Sequence, residues 1–114
     1  MFTVKKTLTI SSAHYLPEYP GKCRRLHGHN WRITATCQSK ELDEQGMVVD
    51  FAEIKRLCER LDHYNINDVF AEVGHKVPTT AENIAEFLCY AIPKCVKLEV
   101  EENDGSVAIF ERED

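Results

Sequence analysis

Apolar and polar positions along the chain switch between a two-residue period and a helical one. From Phe2 to His14, residues Phe2, Val4, Leu8, Ile10, Ser12 and His14 share one parity, interrupted by Lys6. Thr3, Lys5, Thr7 and Thr9 share the other, which reads as a strand with one apolar face. Pro17, Pro20 and Gly21 break the pattern into a loop. Alternation resumes from His27 to Gln38: His27, His29, Trp31, Ile33, Ala35 and Cys37 form one face, and Asn30, Arg32, Thr34 and Thr36 the other.

After a polar turn over residues 40–45, the spacing of Ile54, Leu57, Cys58 and Leu61 predicts a helix. Asp50 with Glu53 supplies a capping-box pattern at its start, and its end is expected near Asp62-His63. Residues 62–79 form a long connection, expected to be functional or to hide a short helical turn. Thr79 with Glu82 suggests a second capping box, before an apolar stripe of Ile84, Phe87, Leu88 and Ala91 that Pro93 closes. Val96, Leu98 and Val100 then alternate with Lys97, Glu99 and Glu101. Asn103-Asp104-Gly105 signals a hairpin turn. Val107, Ile109 and Glu111 alternate with Ala108 and Phe110, so Glu111 falls at the end of the Val107/Ile109 face.

The expected order is β-β-α-α-β-β, an α+β domain over residues 1–114 with two helices on one face of an antiparallel sheet. Four strands leave two open edges, which favours closure by oligomerisation. The net charge of −5 and the lack of a basic run argue against a nucleic-acid partner. Five cysteines without a CxxC spacing fit a reducing compartment better than a disulfide framework. No apolar run approaches the ~18 residues of a membrane span, and no apolar leader stands at the start. A soluble cytoplasmic protein is expected.

The chemistry concentrates in Cys23-Arg24-Arg25-Leu26-His27-Gly28-His29. His27 and His29 share a strand face, ~6.6 Å apart at ~3.3 Å per residue. If the first two strands pair antiparallel, His14 reaches the same end and the same face. Three neutral imidazoles would leave a fourth position open on zinc or a similar dication, the pattern of a catalytic site. Cys23, beside that site and two arginines, is either a thiolate or an inert or liganding thiol. Arg24 and Arg25 either face an anionic substrate or are ordinary surface residues. Asp62-His63 reads equally as a helix C-terminus that welcomes a histidine and as an Asp orienting a His acid/base. His75, between Gly74 and Lys76, is expected at the surface. No Gly-rich nucleotide fingerprint is present, and no nicotinamide or flavin is expected.

Ser12-Ala13-His14, Cys23 to His29, Gly46 to Phe51, Leu61 to Asp68, Thr80-Ala81-Glu82-Asn83 and Phe110-Glu111 together resemble the 6-pyruvoyltetrahydropterin synthase/6-carboxytetrahydropterin synthase family, in the right order from about residue 12 to 111. The resemblance implies the tunnelling fold (T-fold), whose subunits join edge to edge, commonly as homohexamers with shared active sites. It implies Zn2+ on His14, His27 and His29, and a catalytic set of Cys23, Asp62 and His63, with the Asp-His pair supplied across an interface. It implies that Glu111 anchors a pterin substrate with help from Thr80. The four-residue step from Cys23 to His27 is similar to the carboxytetrahydropterin branch, which acts in queuosine-type 7-deazapurine synthesis. The expected reaction turns 7,8-dihydroneopterin triphosphate into 6-carboxytetrahydropterin, acetaldehyde and triphosphate. The alternatives are the pyruvoyl-forming lyase reaction and a noncatalytic, zinc-stabilised pterin-binding oligomer.

Overall fold

The computed structural model describes residues 1–113. Strand β1 (Phe2–His14) pairs antiparallel with β2 (His27–Ser39), from Phe2 opposite Ser39 to His14 opposite His27 without a slip. An unbroken register keeps side-chain parity along both strands, so the apolar sets coincide on one face. Strand β3 (Cys95–Asn103) pairs with β2, shifted by a bulge at Thr36/Cys37, and β4 (Ser106–Glu111) pairs with β3. The sheet order is β1-β2-β3-β4, so β1 and β4 are the outer strands.

Helices α1 (Phe51–Glu59), α2 (Ile66–Glu72) and α3 (Ala81–Ala91) lie between the two hairpins. Helix α3 packs against β3 and β4, and α1 and α2 against β1. The core joins Ile10, Trp31, Ile33 and Leu98 of the sheet to Ile54, Ile66, Phe70, Ile84 and Leu88 of the helices. Each such large side chain contributes ~1.5–3 kcal/mol when fully buried. The antiparallel sheet with helices against it is the α+β architecture read from the sequence.

Four local details differ from the sequence reading. First, the connection after α1 holds a third helix. Asn65 caps α2 by accepting from Asn67 N–H, while Ile66 and Phe70 form a one-turn apolar pair that buries it. Seven residues are too few for the pattern to stand out from the surrounding polar positions.

Second, α1 ends at Glu59, and residues 60–63 form a turn rather than helix. At its start Asp50 accepts from Ala52 N–H as expected. Glu53 does not return to the cap; it takes both of its hydrogen bonds from the Arg56 guanidinium.

Third, the cap of α3 is Thr80, not Thr79: Thr80 Oγ1 accepts from Asn83 N–H at 3.2 Å. The one-residue displacement frees Thr79, which turns inward and is 1% exposed.

Fourth, Val107, Ile109 and Glu111 do not face the core. Ala108 and Phe110 do, opposite Val100 and Leu98, while Val107 and Ile109 are about half exposed. Glu111 lies opposite Lys97 on the open face, its carboxylate 4.0 Å from the ammonium.

Candidate active site

The exact pairing of His14 with His27 and of Ser12 with His29 brings three imidazoles to one end of the helix-covered face. Their ring centroids lie 4.6 Å (His14–His27), 5.2 Å (His14–His29) and 4.9 Å (His27–His29) apart. One nitrogen from each falls within 4.8 Å of the others. Trp31 backs the group, its ring 4.8 Å from His14 and 5.0 Å from His29, and its indole N–H donates to Ser12 O.

Ring orientation is fixed from behind. His14 Nδ1 donates to Thr79 O at 2.7 Å, and His27 Nδ1 donates to Arg25 O at 2.7 Å. Those bonds select the tautomer with a bare Nε2. The Nε2 atoms of His14, His27 and His29 are all buried with no hydrogen-bond partner. Three convergent, orphaned imidazole nitrogens with backbone carbonyls behind two of them are the donor set a divalent metal needs. Burial holds the pKa of His14 and of His29 below the ordinary imidazole value, against the hydrogen bond to Thr79 O and then Glu102 at His14, and against Glu102 at His29. Both rings are thereby kept neutral, the form that binds metal.

Glu102 stands beside the three-histidine group, and the sequence pattern did not single it out. One of its carboxylate oxygens lies 3.4 Å from Nε2 of both His14 and His29. The signal was available: Glu102 continues the Leu98–Val100 parity on β3, so it faces the same side as the core. It also borders a hollow of about 350 Å³ with Ala81, Glu82, Ser106, Val107 and Ala108.

The Asp62–His63 pair forms a second group, which shares a hollow with His29. Asp62 Oδ1 accepts from Ser11 N–H at 2.8 Å, which, ahead of the weaker contribution of His63, holds the Asp62 carboxyl below its usual range. The other carboxylate oxygen lies 3.0 Å from His63 Nδ1. His63 has φ 62°, a left-handed conformation uncommon for histidine, and its N–H donates to Ser11 O. Its side chain is 80% exposed and borders a hollow of about 460 Å³ with Ser11, Gly28, His29, Asn30 and Asn65. The Asp-orients-His geometry is therefore present, on a ring that faces solvent.

Cys23 lies in a 3-10 turn, Lys22–Arg24, half-buried, with its carbonyl accepting from Leu16 N–H. Its thiol is not part of the three-ligand group. Thr80 is occupied as the α3 cap, and Glu111 is on the open face of β4, away from the hollow that Glu102 and Glu82 border. His75 is not a surface residue: its ring packs 4.9 Å from Phe70 and 5.4 Å from Phe87, and it borders an apolar hollow of about 570 Å³ with Leu16, Pro17, Val77 and Pro78. Cys37, Cys58, Cys89 and Cys95 are buried.

Residues 3–113 match the family model described as 6-pyruvoyl tetrahydropterin synthase. The chain belongs to the 6-pyruvoyl tetrahydropterin synthase family. It is thus an enzyme of a lyase family. A 6-carboxy-5,6,7,8-tetrahydropterin synthase of Bacillus subtilis (strain 168) is 31% identical, over 96% of this chain and 84% of the relative. One of the same name from Synechocystis sp. (strain ATCC 27184 / PCC 6803 / Kazusa) is 38% identical, over 77% of this chain and 72% of the relative. The 6-pyruvoyl tetrahydropterin synthase of Caenorhabditis elegans superposes with a TM-score of 0.75 at 23% identity, covering 97% of this chain and 95% of that one. That likeness establishes the T-fold architecture within the 6-pyruvoyl tetrahydropterin synthase family. Among the described residues, no helix is long and apolar enough to cross a membrane.

Proposed function

We propose that the chain is a zinc-dependent 6-carboxy-5,6,7,8-tetrahydropterin synthase. It would convert 7,8-dihydroneopterin triphosphate and water to 6-carboxytetrahydropterin, acetaldehyde and triphosphate, in the cytoplasm, as a step towards queuosine-type 7-deazapurines. The observation that carries the reading is the convergence of three buried, unpartnered Nε2 atoms beside the Glu102 carboxylate. The names of the relatives from Bacillus subtilis and Synechocystis support the carboxy product over the pyruvoyl one.

His14, His27 and His29 would hold the Zn2+, which when bound supplies Lewis acidity towards the substrate's side-chain hydroxyls. Glu102, within reach of the same nitrogens, is placed to hold a proton next to those hydroxyls. Cys23 would move the proton on the side-chain carbon. His63, aimed by Asp62, would be the second acid/base, supplied by a neighbouring subunit of a homo-oligomer, with a hexamer favoured. The solvent-facing His63 ring supports that division, because a base serving its own chain's site is better enclosed. Glu111 is proposed to anchor the pterin, with help from Thr80. Glu82 and Glu102, which border one hollow, are the competing carboxylates.

The experiment is incubation of zinc-loaded protein with dihydroneopterin triphosphate, following products by mass. Acetaldehyde with 6-carboxytetrahydropterin is the expected result. A product that retains the side chain assigns the pyruvoyl reaction instead. Neither product, from a zinc-loaded oligomer, overturns the catalytic reading and leaves pterin binding.

A further inference from the structure

We propose that Asn67 is a positioning residue for the metal-binding ring of His14, acting through Thr79. The proposal rests on the metal reading above. Asn67 lies in the first turn of α2, more than fifty residues from His14 in sequence. Its side-chain amide grips the backbone of Tyr15 at two points: Oδ1 accepts from Tyr15 N–H at 2.9 Å, and Nδ2 donates to Tyr15 O at 2.9 Å. A planar amide that meets both backbone groups of one residue reproduces the pairing a neighbouring strand would give. It does so immediately after His14, where β1 has run out of partners.

The same Oδ1 accepts the Thr79 hydroxyl at 3.0 Å. Thr79 O in turn accepts from His14 Nδ1–H at 2.7 Å. One amide therefore fixes both sides of the ring's setting. Through Tyr15 it holds the backbone that carries the imidazole, and through Thr79 it holds the carbonyl that takes the Nδ1 proton. The ring end of the network is enclosed, with His14 0% and Thr79 1% exposed, while Asn67 and Tyr15 are half-buried. The result is a bare Nε2 aimed at the other two histidines. Outer partners of this kind typically change metal affinity 10–100-fold when removed.

A residue that merely stabilises α2 would lower the unfolding midpoint and leave the imidazole as it was. Two measurements on the purified full chain separate the roles. Long-range 1H–15N spectra of the metal-free protein report the His14 tautomer. Competition with a chromophoric chelator reports Zn2+ affinity. In wild type, His14 is expected as the Nδ1–H tautomer. In Asn67→Ala a mixture with the Nε2–H form is expected, with Zn2+ affinity about 10–100-fold weaker. Thr79→Val, which removes the hydroxyl's bonds to Asn67 Oδ1 and Tyr15 O and its 3.3 Å contact with His14 Nδ1, is expected to weaken Zn2+ binding in the same direction, and Thr79→Ser to restore it. If Asn67→Ala does not fold, an unchanged Thr79→Val still overturns the route through Thr79. Wild-type tautomer and wild-type Zn2+ affinity in Asn67→Ala or in Thr79→Val overturn the proposal. A wild-type protein that takes no Zn2+ overturns the metal reading instead. The tautomer in the metal-free variants then judges Asn67 alone, and an unchanged Nδ1–H form sinks it.

Discussion

Glu102 on β3 holds a carboxylate oxygen 3.4 Å from Nε2 of His14, across the sheet from the strand that carries the histidine. The carboxylate lies beside two of the three nitrogens and is not among the three candidate ligand atoms, so its proposed proton role can be tested apart from metal retention. Glu102→Gln keeps the three imidazoles and the approximate shape. It is expected to retain stoichiometric Zn2+ while turnover falls about 10²–10⁴-fold, the usual contribution of a positioned acid or base. Chelator competition and steady-state rates on one preparation make the comparison. Loss of metal with rate, in proportion, would make Glu102 a ligand instead.

Trp31 is the single tryptophan, and its ring touches two of the three imidazoles. Its fluorescence should therefore report the centre directly. Titration with Co2+ is expected to quench Trp31 emission with one-to-one stoichiometry in wild type. In His29→Ala the stoichiometric quenching should disappear. An unchanged titration in that variant would place the metal elsewhere.

Asp62 is tied to Ser11 N–H, and its folded-state pKa is below the unfolded value. The sign follows from proton counting: below the unfolded pKa of ~3.8, the unfolded chain binds the proton that the folded chain refuses. The stabilisation is thus complete above that value and is lost as pH falls through the folded pKa. Asp62→Ala should be less stable than wild type by about 1 kcal/mol near neutral pH, the scale of one hydrogen bond to a partly exposed charged group. Urea unfolding of both proteins from pH 7 to pH 3 should show the gap constant at first and then closing at the acid end. A gap that widens on acidification would contradict the assignment.

His63 holds φ 62°, a conformation glycine adopts freely. His63→Gly removes the strain and adds unfolded-chain entropy, effects of about 1 kcal/mol that oppose one another. Thermal unfolding should thus move little, while activity falls about 10²-fold or more. Mixing inactive Cys23→Ala and His63→Gly subunits tests where the ring acts. Recovery of activity in the mixed oligomer is expected if the pair serves a neighbour's site, and no recovery if it serves its own.

How much was legible depended on whether parity or packing carried the information. The His14, His27, His29 cluster was readable because strand alternation and one antiparallel pairing suffice to place it. The same rule, carried two residues further along β3, would have reached Glu102; the reading stopped at Glu101 as polar. Glu111 does lie on the Val107/Ile109 face, but that face is the open one. Val107 and Ile109 looked like a core face, but packing against α3 gave that role to Ala108 and Phe110. Alternation fixes which residues share a face but not which face is covered. Helix α2 was hidden by its length. Its position decides the setting of His14, and a hydrogen bond from Thr79 to Asn67 has no local sequence signature. The shift of the α3 cap from Thr79 to Thr80 likewise turned on where the buried hydroxyl was needed.

Residues 63–65 run along the outer side of β1, with Ala13 N–H donating to Tyr64 O and Asn65 bridged in parallel to Ala13. That short stretch acts as an end stop. It occupies the backbone groups near the histidine end of an outer strand and leaves the length from Phe2 to about Ile10 free, roughly 30 Å at ~3.3 Å per residue. A strand of another subunit adding there meets a fixed limit, so where it halts relative to the metal-ligand end is set by the chain itself. In the proposed homo-oligomer the segment that carries His63 would thus also be a gauge for assembly, and lengthening or deleting it would change which residues of two subunits come face to face.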